Sequence, residues 1–168
     1  AVAKFASGGK STAKKDLALI ASQYGHVYVA KVSLGAKDSQ TVQAFREAEA
    51  YDGPALIIAY AHCIAHGYNL SQGLAQQKLA VDTGYWPLFR YDPRLAAQGQ
   101  TPFKLDSAPP KADLAQFTSG ETRFGILKNI NPARAEELAV KAQEQVRTHY
   151  ALYQQLAAPA PKKEPAAT

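Results

Sequence analysis

The chain of 168 residues holds one cysteine, one tryptophan and no methionine. A single thiol excludes an internal disulfide, in keeping with a reducing compartment. Average usage would place a few methionines in this length, so their absence points to a piece of a longer polypeptide, unless an initiator before Ala1 was removed. No apolar run approaches the ~18 residues needed to span a bilayer, so no membrane partner is expected. The N-terminus lacks the charged-then-apolar layout of a secretory signal, and the expected location is cytoplasmic. No aromatic residues interleave with the N-terminal lysines as a base-stacking platform requires, which argues against nucleic acid.

What is present suits one globular core with extensions, since 46% of the residues are hydrophobic. The net charge of +5 is unevenly placed, with Lys4, Lys10, Lys14 and Lys15 all preceding the first acid, Asp16. Such a segment is either a solvated, mobile entry or a surface for a diphosphate or an acidic partner.

The first half alternates helix and strand signals. Thr12 or Ser11 is expected to cap a helix with Leu17, Ile20, Ala21 and Tyr24 inward, ended by Gly25. Residues 27–32 (VYVAKV) read as a strand. Asp38 or Ser39 opens a second helix, with Val42, Phe45 and Ala48 inward and Asp52-Gly53 as its stop. The apolar run that follows, 55–60, entered through Gly53-Pro54, reads as a strand covered on both faces of a parallel sheet. Strand, helix and strand in this order make one parallel βαβ unit. A helix over 71–83 follows, with Leu74, Ala75 and Leu79 inward and Gly84 as its stop. Residues 86–91 (WPLFRY) are a third strand that Pro87 would confine to an edge.

Residues 92–118 change character. Asp92-Pro93, Gly99, Pro102, Pro109 and Pro110 punctuate them, and only Phe103 and Leu105 offer anchors, so an irregular arm lying across a surface is expected. Asn131 and Pro132 are a helix cap and first residue. Leu138, Ala142, Val146, Tyr150, Tyr153 and Leu156 then recur at helical spacing, the tyrosines as packing residues. Glu136, Glu137, Glu144, Lys141 and Arg147 form a solvated face. Pro159 and Pro161 end the helix before a disordered Ala/Pro/Lys tail.

Cys63 lies just past the 55–60 strand, where ligands gather in open α/β sheets. Its neighbours His62 and His66 leave three readings open. A buried thiol can be structural, a nucleophile with a histidine base, or a metal ligand. Cys63-x-x-His66 supplies at most two ligands, so a metal would need others from outside the chain.

The wider wording of the chain carries a resemblance. The phrases are AVAKFA at 1–6, KKDL at 14–17, VYVA at 27–30, EAEAY at 47–51, the whole block 53–67, GYW at 84–86, RYDP at 90–93 and PFKLDS at 102–107. In this order, over residues 1–156, they resemble the C-terminal part of pyruvate:ferredoxin (flavodoxin) oxidoreductase, the thiamine-diphosphate enzyme of anaerobes and nitrogen fixers. The resemblance implies oxidative decarboxylation of pyruvate with CoA to acetyl-CoA and carbon dioxide. It implies electrons passing through 4Fe–4S clusters to ferredoxin or flavodoxin, in a homodimer with thiamine diphosphate and Mg2+. It also implies an α/β fold: the C-terminal part of a transketolase-type thiamine domain over 1–91, the irregular arm over 92–130, a C-terminal helix over 131–157 and a tail over 158–168.

In that family the cluster nearest thiamine takes one ligand from the motif after this strand and the others from cysteines earlier in the polypeptide. The matching residue here is Cys63. A ligand at a strand end fixes a cluster better than one on a free loop, and His62 and His66 are either tuning groups or solvated loop residues.

The chain has no Gly-Asp-Gly, no Asn-Asn and no Cys-x-x-Cys. The resemblance therefore implies half of a site, with no catalytic or thiamine-binding residue here and dependence on the rest of the same polypeptide. The alternative is a non-catalytic docking module or separate subunit of a 2-oxoacid oxidoreductase complex.

Overall fold

The computed structural model describes residues 8–159. The expected tail, from 160 onward, and Lys4 lie outside them. The centre of the fold is β1 (Tyr28–Val32), whose five residues are all buried. It pairs in parallel with β2 (Ala55–Ala59), from Tyr28 opposite Ala55 to Val32 opposite Ala59. On its other side it pairs antiparallel with β3 (Phe89–Tyr91), which pairs antiparallel with β4 (Phe103–Leu105). The sheet order is β2-β1-β3-β4. The fold is thus α/β, with the expected parallel pair inside a mixed sheet.

Alternation along β1 sends its residues to two layers. Val29 packs with Phe89, Phe103 and two helices, α1 (Leu17–Ser22) through Ala18 and Ala21 and α7 (Pro132–Leu156) through Tyr153. Tyr28, Ala30 and Val32 pack with Ala44 of α2 (Asp38–Glu49) on the opposite face. A third cluster joins Ala80 of α3 (Gly73–Asp82) to Leu114 and Phe117 of α5 (Leu114–Thr118) and to Val146 of α7. The remaining helices are α4 (Pro93–Ala97) and α6 (Thr122–Ile130).

Several expectations change. Asp16, not Thr12 or Ser11, caps α1, its carboxylate accepting from the Leu19 amide at 3.1 Å. The first two helices turn alanines to the sheet and most of their large apolar residues out, while α3 buries Gly73, Gln76, Gln77 and Ala80 and leaves Leu74 outward. Leu17 is 59% exposed and Phe45 56%, and Ile20, Tyr24, Val42 and Leu74 are exposed too. The reason is the bulk that the sheet brings: Tyr28, Phe89 and Phe103 fill the space, so only alanine- or serine-lined faces approach closely. Among the described residues β2 is an edge strand and only partly buried, with Leu56 and Ile58 packing into one layer and Ile57 into the other. Conversely β3 is interior, because Pro87 lies two residues before the paired segment and removes no ladder bond. The stretch 92–130 is broken by α4, β4, α5 and α6, and Phe103 is indeed a core residue.

The helix α7 agrees with its sequence pattern. Asn131 caps it, accepting from the Arg134 amide at 3.0 Å, and Val146, Tyr150 and Tyr153 are buried. Glu137 pairs with Arg134 and Lys141 on the solvated face.

A polar knot binds α7, α1 and β1. Asp16 accepts from the Tyr153 hydroxyl and lies 2.7 Å from His149 Nε2. Burial would raise the Asp16 carboxyl's pKa, but the His149 hydrogen bond, the Lys31 charge and the Tyr153 hydrogen bond together hold it far below the usual range. Lys31 is itself buried, 4.4 Å above the Trp86 ring, and burial lowers its pKa from 10.5 to about 8 despite Asp16. Lys14 sits 5.4 Å over the same indole, so this member of the basic segment rests against the core.

A lysine whose folded pKa is depressed binds its proton less tightly in the folded chain than in the unfolded one. Stability therefore rises with pH between about 8 and 10, by roughly 2–3 kcal/mol for a shift of this size. Lys31→Met is expected to remove that rise and to be no less stable than the parent at pH 7. Urea unfolding at a series of pH values checks both points.

Candidate metal centre

The Cys63 segment leaves the sheet where β2 ends. The Tyr60 amide still donates to Val32 O at 3.0 Å, so the chain is held to β1 up to that point. Cys63 then takes an extended conformation and precedes a single 3-10 turn, Ile64–His66, closed by the His66 amide donating to Cys63 O at 3.0 Å. The turn stops at Gly67, whose φ of +76° favours glycine. A Cβ there would meet the Thr122 Cβ at 2.6 Å. Gly67 O accepts from the Thr122 amide at 3.2 Å and the Thr122 hydroxyl at 2.7 Å, which pins the turn to the start of α6. Cys63 is a free, half-buried thiol in this fixed frame.

The two histidines share the turn but face different partners. His62 lies on the exposed side, its Nδ1 3.2 Å from Gln77 Nε2 on α3. Gln77 Oε1 in turn accepts from the Gly35 amide at 2.9 Å. His66 is 6% exposed, with Nδ1 4.0 Å from Glu121 Oε2. Burial and the nearby Arg123 charge lower its pKa, and the Glu121 carboxylate opposes them. Among the described residues no hydrogen bond joins Cys63 to either imidazole, so the thiol has no base positioned against it.

Glu121, 1% exposed, anchors this side. It accepts from Gln76 Nε2 at 3.0 Å and pairs with Arg123, whose NH2 group donates to the Tyr60 hydroxyl at 3.2 Å. Tyr60 packs on Trp86 at 5.3 Å between ring centres. The sequence reading missed Glu121, Arg123, Gln76 and Gln77. Glu121 and Arg123 sit in a polar stretch with no periodic signal, and the glutamines occupy helix positions that read as ordinary surface. Among the described residues no group of three or more His, Cys, Asp or Glu could hold a metal ion. A metal at Cys63 would have to take its other ligands from elsewhere.

The chain has close relatives among known proteins. It is 57% identical over 158 residues to the pyruvate-flavodoxin oxidoreductase of Trichormus variabilis, covering 94% of this chain and 13% of that protein. It is 51% identical over 157 residues to the pyruvate:ferredoxin oxidoreductase of Moorella thermoacetica, covering 94% and 13%. The pyruvate-flavodoxin oxidoreductase of Klebsiella pneumoniae is 46% identical over 159 residues, covering 94% and 14%. The family is that of the pyruvate:ferredoxin (flavodoxin) oxidoreductases. No family model matches the chain. It spans about one seventh of the length of these oxidoreductases.

Removing one partner of a buried pair leaves the other charge uncompensated. Arg123→Ala is expected to cost about 3 kcal/mol, and adding Glu121→Gln to recover part of it. A double-mutant cycle on urea midpoints measures this coupling; strict additivity would show that the two side chains do not act together.

Proposed function

We propose that the chain is the C-terminal part of a pyruvate:ferredoxin or pyruvate:flavodoxin oxidoreductase and contributes Cys63 as one ligand of a 4Fe–4S cluster. The observation that carries this reading is the free, half-buried thiol held on a braced turn at the end of a sheet strand. The donor chemistry fits: such clusters take thiolates, and among the described residues no histidine is hydrogen-bonded to Cys63 to make it a nucleophile. When bound, the cluster accepts and passes on single electrons. The chain's own task is positional. The hydrogen bonds of β2 to β1 fix the strand end, and the Gly67–Thr122 contacts fix the turn. The thiol's place relative to the sheet is thereby set to within the stiffness of the core.

The whole protein would act on pyruvate and CoA, with thiamine diphosphate and Mg2+ held by the rest of the same polypeptide, in a cytoplasmic homodimer that delivers electrons to ferredoxin or flavodoxin. The outward large residues Leu17, Ile20, Val42, Phe45 and Leu74, and an outer edge of β2 that no described strand pairs with, support such a context. Exposed apolar faces and open strand edges are what further protein normally covers. No described helix is long and apolar enough to cross a membrane.

In the full-length enzyme, Cys63→Ser is expected to lower iron content and alter the low-temperature EPR of the reduced protein. Unchanged iron and an unchanged spectrum would overturn the ligand assignment. Turnover by the isolated chain, abolished by thiol alkylation, would overturn the reading as a dependent part.

A further inference from the structure

The two edges of the described sheet are finished differently. The strand β4 is three residues long and carries the exposed Lys104 at its middle. A short strand and a charged side chain are ordinary means of keeping an edge from pairing. On β2 neither appears. Its five residues, Ala55-Leu56-Ile57-Ile58-Ala59, match β1 in length, pair with it without a bulge and carry no charge.

The bonds at either end of β2 fix the direction of its peptides. The Tyr28 amide donates to Pro54 O and the Tyr60 amide donates to Val32 O, both at 3.0 Å. Within one peptide the N–H and C=O point opposite ways, and successive peptides alternate along a strand. The amides and carbonyls of Ala55, Ile57 and Ala59 therefore point away from β1. Among the described residues none of these six groups has a hydrogen-bond partner. Such a row is a template for a further strand.

The helix above leans the same way. On α2, Gln40 and Glu47 reach Asp106 and Arg90, which marks the flank over β3 and β4. Helical spacing puts Phe45 on the opposite flank, toward the β2 side, where it is exposed.

Resting on the reading of the chain as part of a larger oxidoreductase, we propose that a strand from the polypeptide outside these residues bonds to the outer edge of β2 and runs parallel to it. The chain matches only 13–14% of the length of its relatives, which leaves ample polypeptide to supply that strand. The direction follows from composition. An uninterrupted apolar strand suits enclosure within a parallel sheet, and Leu56 and Ile58 already pack into one layer and Ile57 into the other. A second copy related by a two-fold axis would pair the two β2 edges antiparallel, which this composition does not favour. Bonded on both edges, β2 holds the start of the Cys63 segment from two sides.

The test is residue-resolved hydrogen exchange on the full-length holoenzyme. The outward amides of Ile57 and Ala59 are expected to exchange within about tenfold of the inward amides of Leu56 and Ile58. A larger excess in the outward pair overturns the proposal. A photo-crosslinking amino acid at Ala55 and, separately, at Ala59 is expected to capture two positions of one segment outside these residues, in the same chain order. The reverse order, or capture of β2 from a second copy, also overturns it. Should neither position cross-link, the exchange pattern decides. Cys63→Ser separates this claim from the one it rests on. Unchanged iron removes the ligand assignment and leaves the pairing to the exchange data, whereas lowered iron with fast Ile57 and Ala59 amides removes only the pairing.

Discussion

A strand bonded along both edges and covered on both faces has nowhere to move, and β1 is in that position. Its ladder to β2 sets where the Cys63 segment starts, and its ladder to β3 brings Phe89 and Phe103 against Tyr153 of α7. Its side chains divide the helices between two layers. Lys31 is the exception on this strand, an ammonium group enclosed by Trp86, Phe89 and Tyr153 rings. Burying a charge beside aromatic faces without an adjoining carboxylate is unfavourable, and the fold moderates it with Asp16 one layer away. Since Asp16 also caps α1 and receives Tyr153, one carboxylate connects the start of the first helix, the central strand and the last helix.

A second ionic tie serves the other layer. Arg90 on β3 holds Asp106 with two hydrogen bonds of 2.8 and 2.9 Å and reaches Glu47 on α2, which also accepts from the Tyr28 hydroxyl. Each layer is thus fixed to the sheet by one mostly buried charge cluster as well as by apolar contact. Such ties contribute modestly to net stability but leave few alternative placements for the helices.

The order of elements was legible because strand runs, caps and stops are local signals. The 27–32 and 55–60 runs, Gly25, and the Asn131-Pro132 start of α7 all lie where their chemistry places them. The inward faces of α1, α2 and α3 were legible only in part: Ala21, Ala48 and Leu79 pack inward as expected, but most of the larger residues do not, since periodicity names an apolar stripe without saying what it meets. Ala18, Ala21 and Ala44 face the sheet because it is already crowded with rings, which no single-helix pattern contains. The same limit applies to the site. A lone thiol after a strand stands out in a sequence, whereas Glu121, Arg123 and Gln76 meet only through folding across more than forty residues.

Gly67 and Cys63 are four residues apart yet answer to different demands. Gly67 is required by space: its backbone angle and the Thr122 Cβ leave no room for a side chain, whether or not a metal is ever present. Cys63 is half-buried in a turn that an alanine or serine would complete equally well, so packing does not require its sulfur. Substitution at the two positions therefore has opposite consequences: loss of the sulfur leaves the bracket intact, while a side chain at Gly67 has to push the start of α6 away.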